Sequence, residues 1–252
     1  MREIAADPVD EARRVLQAAR QAAVPLRALG GIAVALIAPT IAHLHPKRTY
    51  HDIDLAAPAG TPAVSRLMTD LGYEAARRFN TLNGSERLLF HDVNGRRVDI
   101  FVDTLRMCHA LPFGARLELQ AWTLPPADLV LSKLQIVELT ERDGQDLVAL
   151  FADYSLTEFD ADGIGLDRIR QICGGDWGWW RTVDDNLRRL SERWQAARAV
   201  ADPGEARILD KAIERATELR AVLETCPKSL GWTIRAKLGP RLRWYDLPEE
   251  VR

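Results

Sequence analysis

The segment His51–Leu55 carries two aspartates, Asp52 and Asp54, that are separated by one apolar residue. Side chains alternate along a β-strand, so both carboxylates would point to the same side of a strand, with Cα atoms roughly 7 Å apart. Carboxylate oxygens in this arrangement suit one or two divalent metal ions. The apolar residues Ile53 and Leu55 would then face a hydrophobic core.

A glycine doublet, Gly30–Gly31, lies between a predicted strand at 26–29 and a predicted helix at 32–38. Backbone N–H groups at such a turn and at the start of a helix form a site for anions, and the helix dipole favours negative charge there. Glycine also lets a phosphate approach the backbone closely. Together with the paired aspartates, the doublet indicates metal-assisted chemistry on a nucleotide.

A third carboxylate is expected, because two metal ions and an attacking hydroxyl group need more ligands than two aspartates supply. Asp99 is the best candidate, since it lies inside the hydrophobic strand Arg97–Val102, where a charge without a partner would be costly. If that strand paired next to Asp52 and Asp54, the three carboxylates would meet. Asp103, further along on the same face, is the alternative.

The residues before Pro125 predict strands and helices in alternation, followed by a hairpin. The predicted helices are 8–23, 32–38 and 62–71, and the predicted strands are 26–29, 52–57, 73–78, 87–93 and 97–102, with short strand candidates at 116–119 and 121–124. A loop is predicted around 43–48. Asn94–Gly95 is a strong signal for a two-residue hairpin turn. This order predicts an α/β (α+β) fold with a small mixed sheet and helices packed against it.

From Ala127 onward nearly every segment has a helical pattern. The predicted helices are 128–139, 143–154, 166–173, 183–200, 204–225 and 230–238. We therefore predict a core at 1–125 and a helical C-terminal region at 126–252 that packs on it.

The bulk composition is that of an ordinary globular protein, with 47% hydrophobic and 28% charged residues. A formal net charge of -2 favours no particular partner. The three scattered cysteines indicate a reducing compartment. Without a long apolar run or a signal peptide, the sequence predicts a cytoplasmic protein with no membrane partner.

In order and spacing, Leu29–Gly31, Asp52–Leu55 and Val98–Ile100 resemble the nucleotidyltransferase superfamily, which has the DNA polymerase beta-like fold. With the glycine doublet, Arg48–Leu55 is most similar to the AbiEii/AbiGii-type nucleotidyltransferases, the toxins of abortive-infection and toxin–antitoxin systems. One departure is Gly31, where the superfamily usually has a serine whose hydroxyl can contact phosphate.

The AbiEii/AbiGii-type branch also has a lysine on a helix after the sheet and a later Arg/Lys-Asp-x-x-Asp-Leu segment. Here Asp128–Leu134 contains Lys133, and Arg142–Leu147 matches the later segment. The resemblance covers about Leu26 to Leu150. It implies a nucleotidyltransferase core to which Lys133 and Asp146 of the helical region contribute.

The resemblance implies an enzyme that moves a nucleoside monophosphate from an NTP to a hydroxyl acceptor and releases pyrophosphate. Asp52, Asp54 and Asp99 would hold two Mg²⁺ ions, while Gly30 and Gly31 would bind the phosphates.

Cationic groups are expected near the reacting phosphate, because the transition state gathers negative charge. Lys133 is the leading candidate, and Arg48 would reach the γ-phosphate or the acceptor. Asp146 is expected to point inward and pair with or orient Lys133, whereas Asp143 suits a helix cap.

The acceptor stays open between an RNA or tRNA end, a protein side chain and a small molecule. An antitoxin protein is a further expected partner. The stretch 225–245 is basic, with interleaved tryptophans, and favours either RNA contact or a solvated helix face. The alternative function is a non-catalytic nucleotide- or RNA-binding module on the same fold.

Overall fold

The first half of the chain contributes a five-stranded mixed sheet. The computed structural model describes residues 4–60, 62–161 and 163–247. The strands of this sheet are β1 (Arg27–Ala28), β2 (Ile53–Ala57), β3 (Glu74–Ala75), β4 (Arg87–His91) and β5 (Arg97–Val102). Their order is β1-β2-β5-β4-β3, in which β2 and β5 are parallel and the other neighbours are antiparallel. The predicted α+β class with a small mixed sheet is confirmed.

The two faces of this sheet differ in chemistry, because successive side chains point to opposite sides. One face carries buried apolar side chains: Ile53, Leu55, Phe90, Val98 and Ile100. The strand registers place the charged side chains on the other face: Asp54, Arg87, Arg97 and Asp99. The sheet therefore has a core face and a polar face.

Helices make up most of the remaining regular structure. They are α1 (Pro8–Gln21), α2 (Gly30–Ile37), α3 (Thr40–Leu44), α4 (Pro62–Asp70), α5 (Arg77–Asn83), α6 (Pro126–Leu134), α7 (Glu141–Asp153), α8 (Leu166–Gly175), α9 (Trp177–Arg198), α10 (Pro203–Thr225) and α11 (Leu230–Leu238). Further short strands are β6 (Thr104–Arg106), β7 (Ala110–Pro112), β8 (Leu156–Thr157) and β9 (Ile164–Gly165), and 3-10 turns lie at Gly114–Arg116 and Gly239–Arg241.

The start of α1 shows how the sequence sets a helix boundary. The Asp7 side chain accepts hydrogen bonds from the backbone N–H groups of Val9 (2.8 Å) and Asp10 (3.0 Å), and Pro8 occupies the first turn. These contacts satisfy two of the N–H groups that a helix leaves without internal partners. The start of α1 at Pro8 agrees with the predicted helix at 8–23.

The predicted hairpin between β4 and β5 is also confirmed, but the prediction of a two-residue turn is wrong. The N–H group of Asp92 donates to the Arg96 carbonyl (3.0 Å), which leaves three residues, 93–95, in the loop. Gly95 has a left-handed φ of 78°, a conformation that glycine adopts without steric penalty. The Asp92 carboxylate accepts hydrogen bonds from the backbone N–H groups of Asn94 (2.8 Å) and Arg96 (2.9 Å). The turn thereby fixes the register, which pairs His91 with Arg97.

Two segments, 73–83 and 116–124, differ from the sequence-based expectations. The predicted strand at 73–78 ends at Ala75, and α5 follows, held against β4 by the Asn80 side chain. That side chain donates to the Leu89 carbonyl (3.0 Å) and accepts from the Leu89 N–H group (2.7 Å). The strand candidates at 116–119 and 121–124 are wrong, because this segment forms a 3-10 turn and one isolated bridge between Thr123 and Ala28.

The predicted loop around 43–48 is wrong at its start, where α3 covers His43. The helix begins at Thr40, whose N–H group (3.0 Å) and hydroxyl group (2.6 Å) both donate to the Asp153 carboxylate. Asp153 is far from Thr40 in the sequence, so the contact that fixes the start of this helix cannot be read from the residues around it.

The chain separates into two compact units. The first comprises Met1–Ile37, His45–Leu105 and Pro112–Pro125, and it contains the five-stranded sheet. The second comprises Ala38–Leu44, Arg106–Leu111 and Pro126–Arg252, and it is mainly helical. Within the described ranges, no helix is long and apolar enough to cross a membrane.

The second unit is organised around long capped helices. Asp176 caps α9, and Asp202 followed by Pro203 begins α10. The apolar residues of α10 recur at helical spacing and are buried: Leu209, Ala212, Ala216, Leu219 and Leu223. Burial of this stripe, rather than helix propensity, supplies most of the stability of such a helix.

Replacement of the hairpin glycine tests how strongly the turn holds the sheet. Gly95→Ala should lower the free energy of unfolding by about 1–2 kcal/mol, because an L-residue is strained at positive φ. Gly231→Ala is the matched control: Gly231 is in α11, where an added Cβ atom would meet only the Ser229 hydroxyl oxygen at an ordinary 3.9 Å, so this variant should be neutral or slightly stabilised. Urea denaturation would measure both, and equal effects would contradict the prediction.

Candidate functional site

Two predicted site carboxylates are neighbours on the polar face of the sheet. In the parallel register of β2 and β5, Asp54 is the partner of Asp99. Asp99 is buried, with 3% of its surface exposed, while Asp54 is half-buried. The expectation that the strand of Asp99 pairs beside Asp54 is confirmed, although the chemical role of both residues stays a prediction.

The glycine turn lies directly against this pair. Gly30 has a left-handed φ of 68°, and a Cβ atom built on it would lie 2.4 Å from Oδ2 of Asp54. The N–H group of Leu29 donates to the Asp54 carbonyl (3.0 Å), which fixes the turn to β2. Because α2 begins at Gly30, the N–H groups of its first turn are presented beside the Asp54 carboxylate.

Arg48 is brought next to the glycine turn. A Cβ atom on Gly31 would lie 3.4 Å from a guanidinium nitrogen of Arg48 and 3.4 Å from Cε1 of Tyr50. The guanidinium also lies over the Tyr50 ring, 5.3 Å from its centroid. Three of the four predicted nucleotide-binding residues, Gly30, Gly31 and Arg48, are thus collected at one corner of the first unit, whereas the fourth, Lys133, belongs to the second unit.

Asp52 is exposed and precedes β2, so it lies outside the paired strand. Its carboxylate and that of Asp54 are hard oxygen donors, which fits the ligand preference of Mg²⁺. Among the described residues, no group of three or more His, Cys, Asp or Glu side chains is placed to hold a metal ion. In this structure the third predicted ligand, Asp99, has other partners.

Asp99 is held by two arginines of the same polar face. Arg87 approaches Oδ1 of Asp99 with Nε at 2.8 Å and with a terminal nitrogen at 2.8 Å. Arg97 places Nε 2.7 Å from Oδ2 and a terminal nitrogen 3.3 Å from Oδ1. Both oxygens of the buried carboxylate are therefore neutralised by guanidinium groups.

Asp103, the alternative third carboxylate, forms hydrogen bonds with two neighbouring loops. It follows β5 with a left-handed φ of 55°, and its Oδ1 accepts a hydrogen bond from the N–H group of Ala59 (3.0 Å). Its backbone carbonyl accepts another from Phe113 (2.7 Å).

Lys133 and Asp146 belong to the second unit, where they contact one another. Nζ of Lys133 lies 2.8 Å from Oδ2 of Asp146 and 2.9 Å from Oδ1 of Asp143. Asp143 also forms a capping box with Thr140 at the start of α7, as predicted for a helix cap. Asp146 is fully buried and faces inward, as predicted.

The electrostatics of this cluster favour its ionised form. Burial alone lowers the pKa of Lys133, but the carboxylates of Asp146 and Asp143 outweigh burial and raise that pKa above its ordinary value. Burial raises the pKa of Asp143, whereas Lys133 and the hydrogen bonds to Thr140 outweigh it and lower that pKa.

Arg87 and Arg97 are site residues that the sequence analysis missed. Arg97 lies two residues before Asp99, hence on the same face of β5. The register set by the Asn94–Gly95 turn puts Arg87 opposite Phe101, which is also on that face. Both arginines could have been found from the sequence, because the alternation of β5 and the pairing of the hairpin strands place them on the face of Asp99.

Neither a scan against protein-family models nor a search of curated proteins finds a match to this chain. The resemblance to nucleotidyltransferases therefore stays a prediction based on the residues described above.

The close approach of Gly30 to Asp54 predicts that this position accepts no side chain without a loss of stability. Gly30→Ala should lower the free energy of unfolding by about 2 kcal/mol or more, because it adds positive-φ strain and a collision with the Asp54 carboxylate. Gly31→Ala meets only ordinary contacts with movable side chains and should be tolerated. Chemical denaturation of both variants checks this, and an equal tolerance of the two would refute it.

The Lys133 cluster predicts a pH-dependent stability. Because the pKa of Asp143 is lower in the folded state than its ordinary 3.8, its contribution is full above that value and disappears as pH falls through the folded pKa. At pH 7, Asp143→Asn should lower the free energy of unfolding by about 1–3 kcal/mol, and this gap should close below pH 3.8.

Denaturation curves of wild type and variant across this pH range measure the gap. Asp70→Asn, at an exposed position of α4, is the control and should show no such gap. A gap of unchanged size in acid would contradict the proposed charge pairing.

Proposed function

We propose that this protein is a Mg²⁺-dependent nucleotidyltransferase, which transfers a nucleoside monophosphate from an NTP to a hydroxyl group. The observation that carries the proposal is the in-register pair Asp54–Asp99 under the turn at Gly30. Hard oxygen ligands and phosphate-binding N–H groups are the two requirements for positioning a metal-bound triphosphate, and they lie at one corner of a sheet.

In this proposal, Asp52 and Asp54 are the residues that would hold the metal, with Asp99 as the further ligand once it leaves its arginines. When bound, Mg²⁺ would neutralise phosphate charge and lower the pKa of the acceptor hydroxyl group. The N–H groups at Gly30 and the first turn of α2 would orient the phosphates, and Arg48 would add a positive charge beside them.

The resemblance implies that Lys133 is the cation of the reaction and Asp146 its orienting carboxylate, and we carry these two roles into the proposal. Within the second unit, Lys133 is paired with both Asp146 and Asp143, and these carboxylates raise its pKa, so the lysine stays charged at neutral pH.

The acceptor and the biological setting are proposed from the chain's surface and from the resemblance. In the second unit, Lys237, Arg241 and Arg243 are exposed near the tryptophans of the basic stretch 225–245. Clustered exposed cations favour an RNA or tRNA end as acceptor over a protein or small-molecule hydroxyl. The similarity to toxin-type enzymes adds an antitoxin protein as a partner.

A second candidate is a non-catalytic nucleotide- or RNA-binding module. The specific observation that favours it is the double ion pair of Asp99, which leaves this carboxylate bound to Arg87 and Arg97 rather than directed to a metal. Such a module would bind phosphates without transferring a nucleotide.

Incubation with each labelled NTP and Mg²⁺, in the presence of total RNA, protein or small hydroxyl compounds, tests the enzyme. Label should enter one class of acceptor, and Asp54→Asn should reduce the rate at least about 10²- to 10³-fold, the usual effect of removing one electrostatic contact to the transition state. The control Asp70→Asn should react like wild type.

The outcomes separate the two candidates. Incorporation that survives Asp54→Asn would refute a role for this carboxylate, and NTP binding without any incorporation would favour the non-catalytic module.

A further inference from the structure

The polar face of the sheet carries two arginines that meet on one buried carboxylate. Arg97 precedes Asp99 on β5 by two residues, and Arg87 lies on β4 opposite Phe101, one step beyond Asp99 in the other direction. The carboxylate is thus approached from both directions along the strand. Arg87 also stacks on the Phe101 ring, 4.9 Å from its centroid, which holds its guanidinium in place.

The two arginines are accessible although their partner is not. Their side chains are 24% (Arg87) and 29% (Arg97) exposed, whereas that of Asp99 is 4% exposed. A single carboxylate faces two guanidinium groups, so Arg87, Arg97 and Asp99 by themselves have one excess positive charge, which the neighbouring Asp54 offsets. An anion from solvent could therefore reach the guanidinium groups without opening the core beneath the sheet.

Guanidinium binds carboxylate and phosphate by the same forked pair of N–H donors. The N–H groups of Arg87 and Arg97 that now bind the Asp99 carboxylate could therefore bind phosphate oxygens instead. The neighbouring Asp54 adds a like charge in register, and like charges directly opposite one another are destabilising unless cations offset them.

We propose that Arg87 and Arg97 form a binding site for the polyphosphate group of the substrate, and that Asp99 holds these arginines in place until the anion displaces it. The inference rests on the proposed function, which it deepens by assigning two phosphate-binding residues. On binding, the guanidinium groups exchange carboxylate for phosphate oxygens, and the released Asp99 becomes available as a metal ligand.

A purely structural ion pair makes the opposite prediction. If Arg87 and Arg97 served only to neutralise Asp99, removal of the carboxylate would leave two unsatisfied cations and a less stable protein, and Arg87→Gln/Arg97→Gln with Asp99 intact would leave anion binding unchanged. The proposal instead expects that a protein without this carboxylate binds a polyphosphate more tightly, because the anion no longer competes with it.

The experiment is calorimetric titration of the full chain with inorganic tripolyphosphate in EDTA, so that no metal and no nucleotide base contribute. Asp99→Asn should bind at least about 10-fold more tightly than wild type, equivalent to about 1.4 kcal/mol. Combining Asp99→Asn with Arg87→Gln and Arg97→Gln should abolish this gain. Arg78→Gln in the Asp99→Asn background removes an exposed arginine of α5 and should retain it.

A second set of variants keeps the test decisive if Asp99→Asn does not fold. Arg87→Gln/Arg97→Gln with Asp99 intact should weaken binding of a Mg²⁺-bound non-hydrolysable NTP analogue at least about 10-fold, while Arg78→Gln should leave it unchanged. Equal affinities of the double variant and wild type would overturn the proposal, as would Asp99→Asn that folds and binds tripolyphosphate no better.

The results also separate this inference from the proposed function. Tripolyphosphate binding that depends on Arg87 and Arg97, without nucleotidyl transfer to any acceptor, would support the anion site and refute the enzyme. Transfer that is lost in Asp54→Asn but unaffected in Arg87→Gln/Arg97→Gln would support the enzyme and refute the anion site.

Discussion

The sheet of the first unit depends on the neutralisation of two aspartates that lie side by side in adjacent parallel strands. Asp54 and Asp99 are register partners, and Asp99 is almost fully buried. Burial of a carboxylate is unfavourable, and a like charge beside it adds to the penalty. Arg87 and Arg97 make the arrangement stable by neutralising both oxygens of Asp99. Without these cations, the central pairing of the sheet would bring together charges that repel.

This constraint explains why the rest of the corner is so closely specified. The charged residues share one face with the buried Leu89 and Phe101, while Ile53, Leu55, Phe90, Val98 and Ile100 are buried on the other. Gly30 is required because the turn runs against the Asp54 carboxylate in a left-handed conformation. The carboxylates are therefore positioned by strands and by a fixed turn rather than by a loop, which gives a site its rigidity.

Much of this corner could be predicted from the sequence, because the decisive signals are local. Alternation within Arg97–Val102 and the Asn94–Gly95 signal define β5 and the hairpin, and alternation within 53–57 puts Asp54 on the face opposite Ile53 and Leu55. The expectation that Asp52 shares this strand is wrong, because β2 begins at Ile53. Other errors come from contacts between distant residues. The helix at Thr40–Leu44 depends on Asp153, and α5 is fastened by Asn80 to the edge of β4.

The strands that pair with β5 lie at different distances from it in the sequence, and this affects how the sheet assembles. The β4–β5 hairpin closes through the short connection 92–96, whereas β2 must meet β5 across a long intervening segment. Short loops close at lower entropic cost and sooner than long ones. Arg87 can thus reach Asp99 within the hairpin before β2 arrives with Asp54. The incoming strand then docks on an edge whose negative charge is already cancelled, so the order of folding removes a repulsion that a different order would have to overcome.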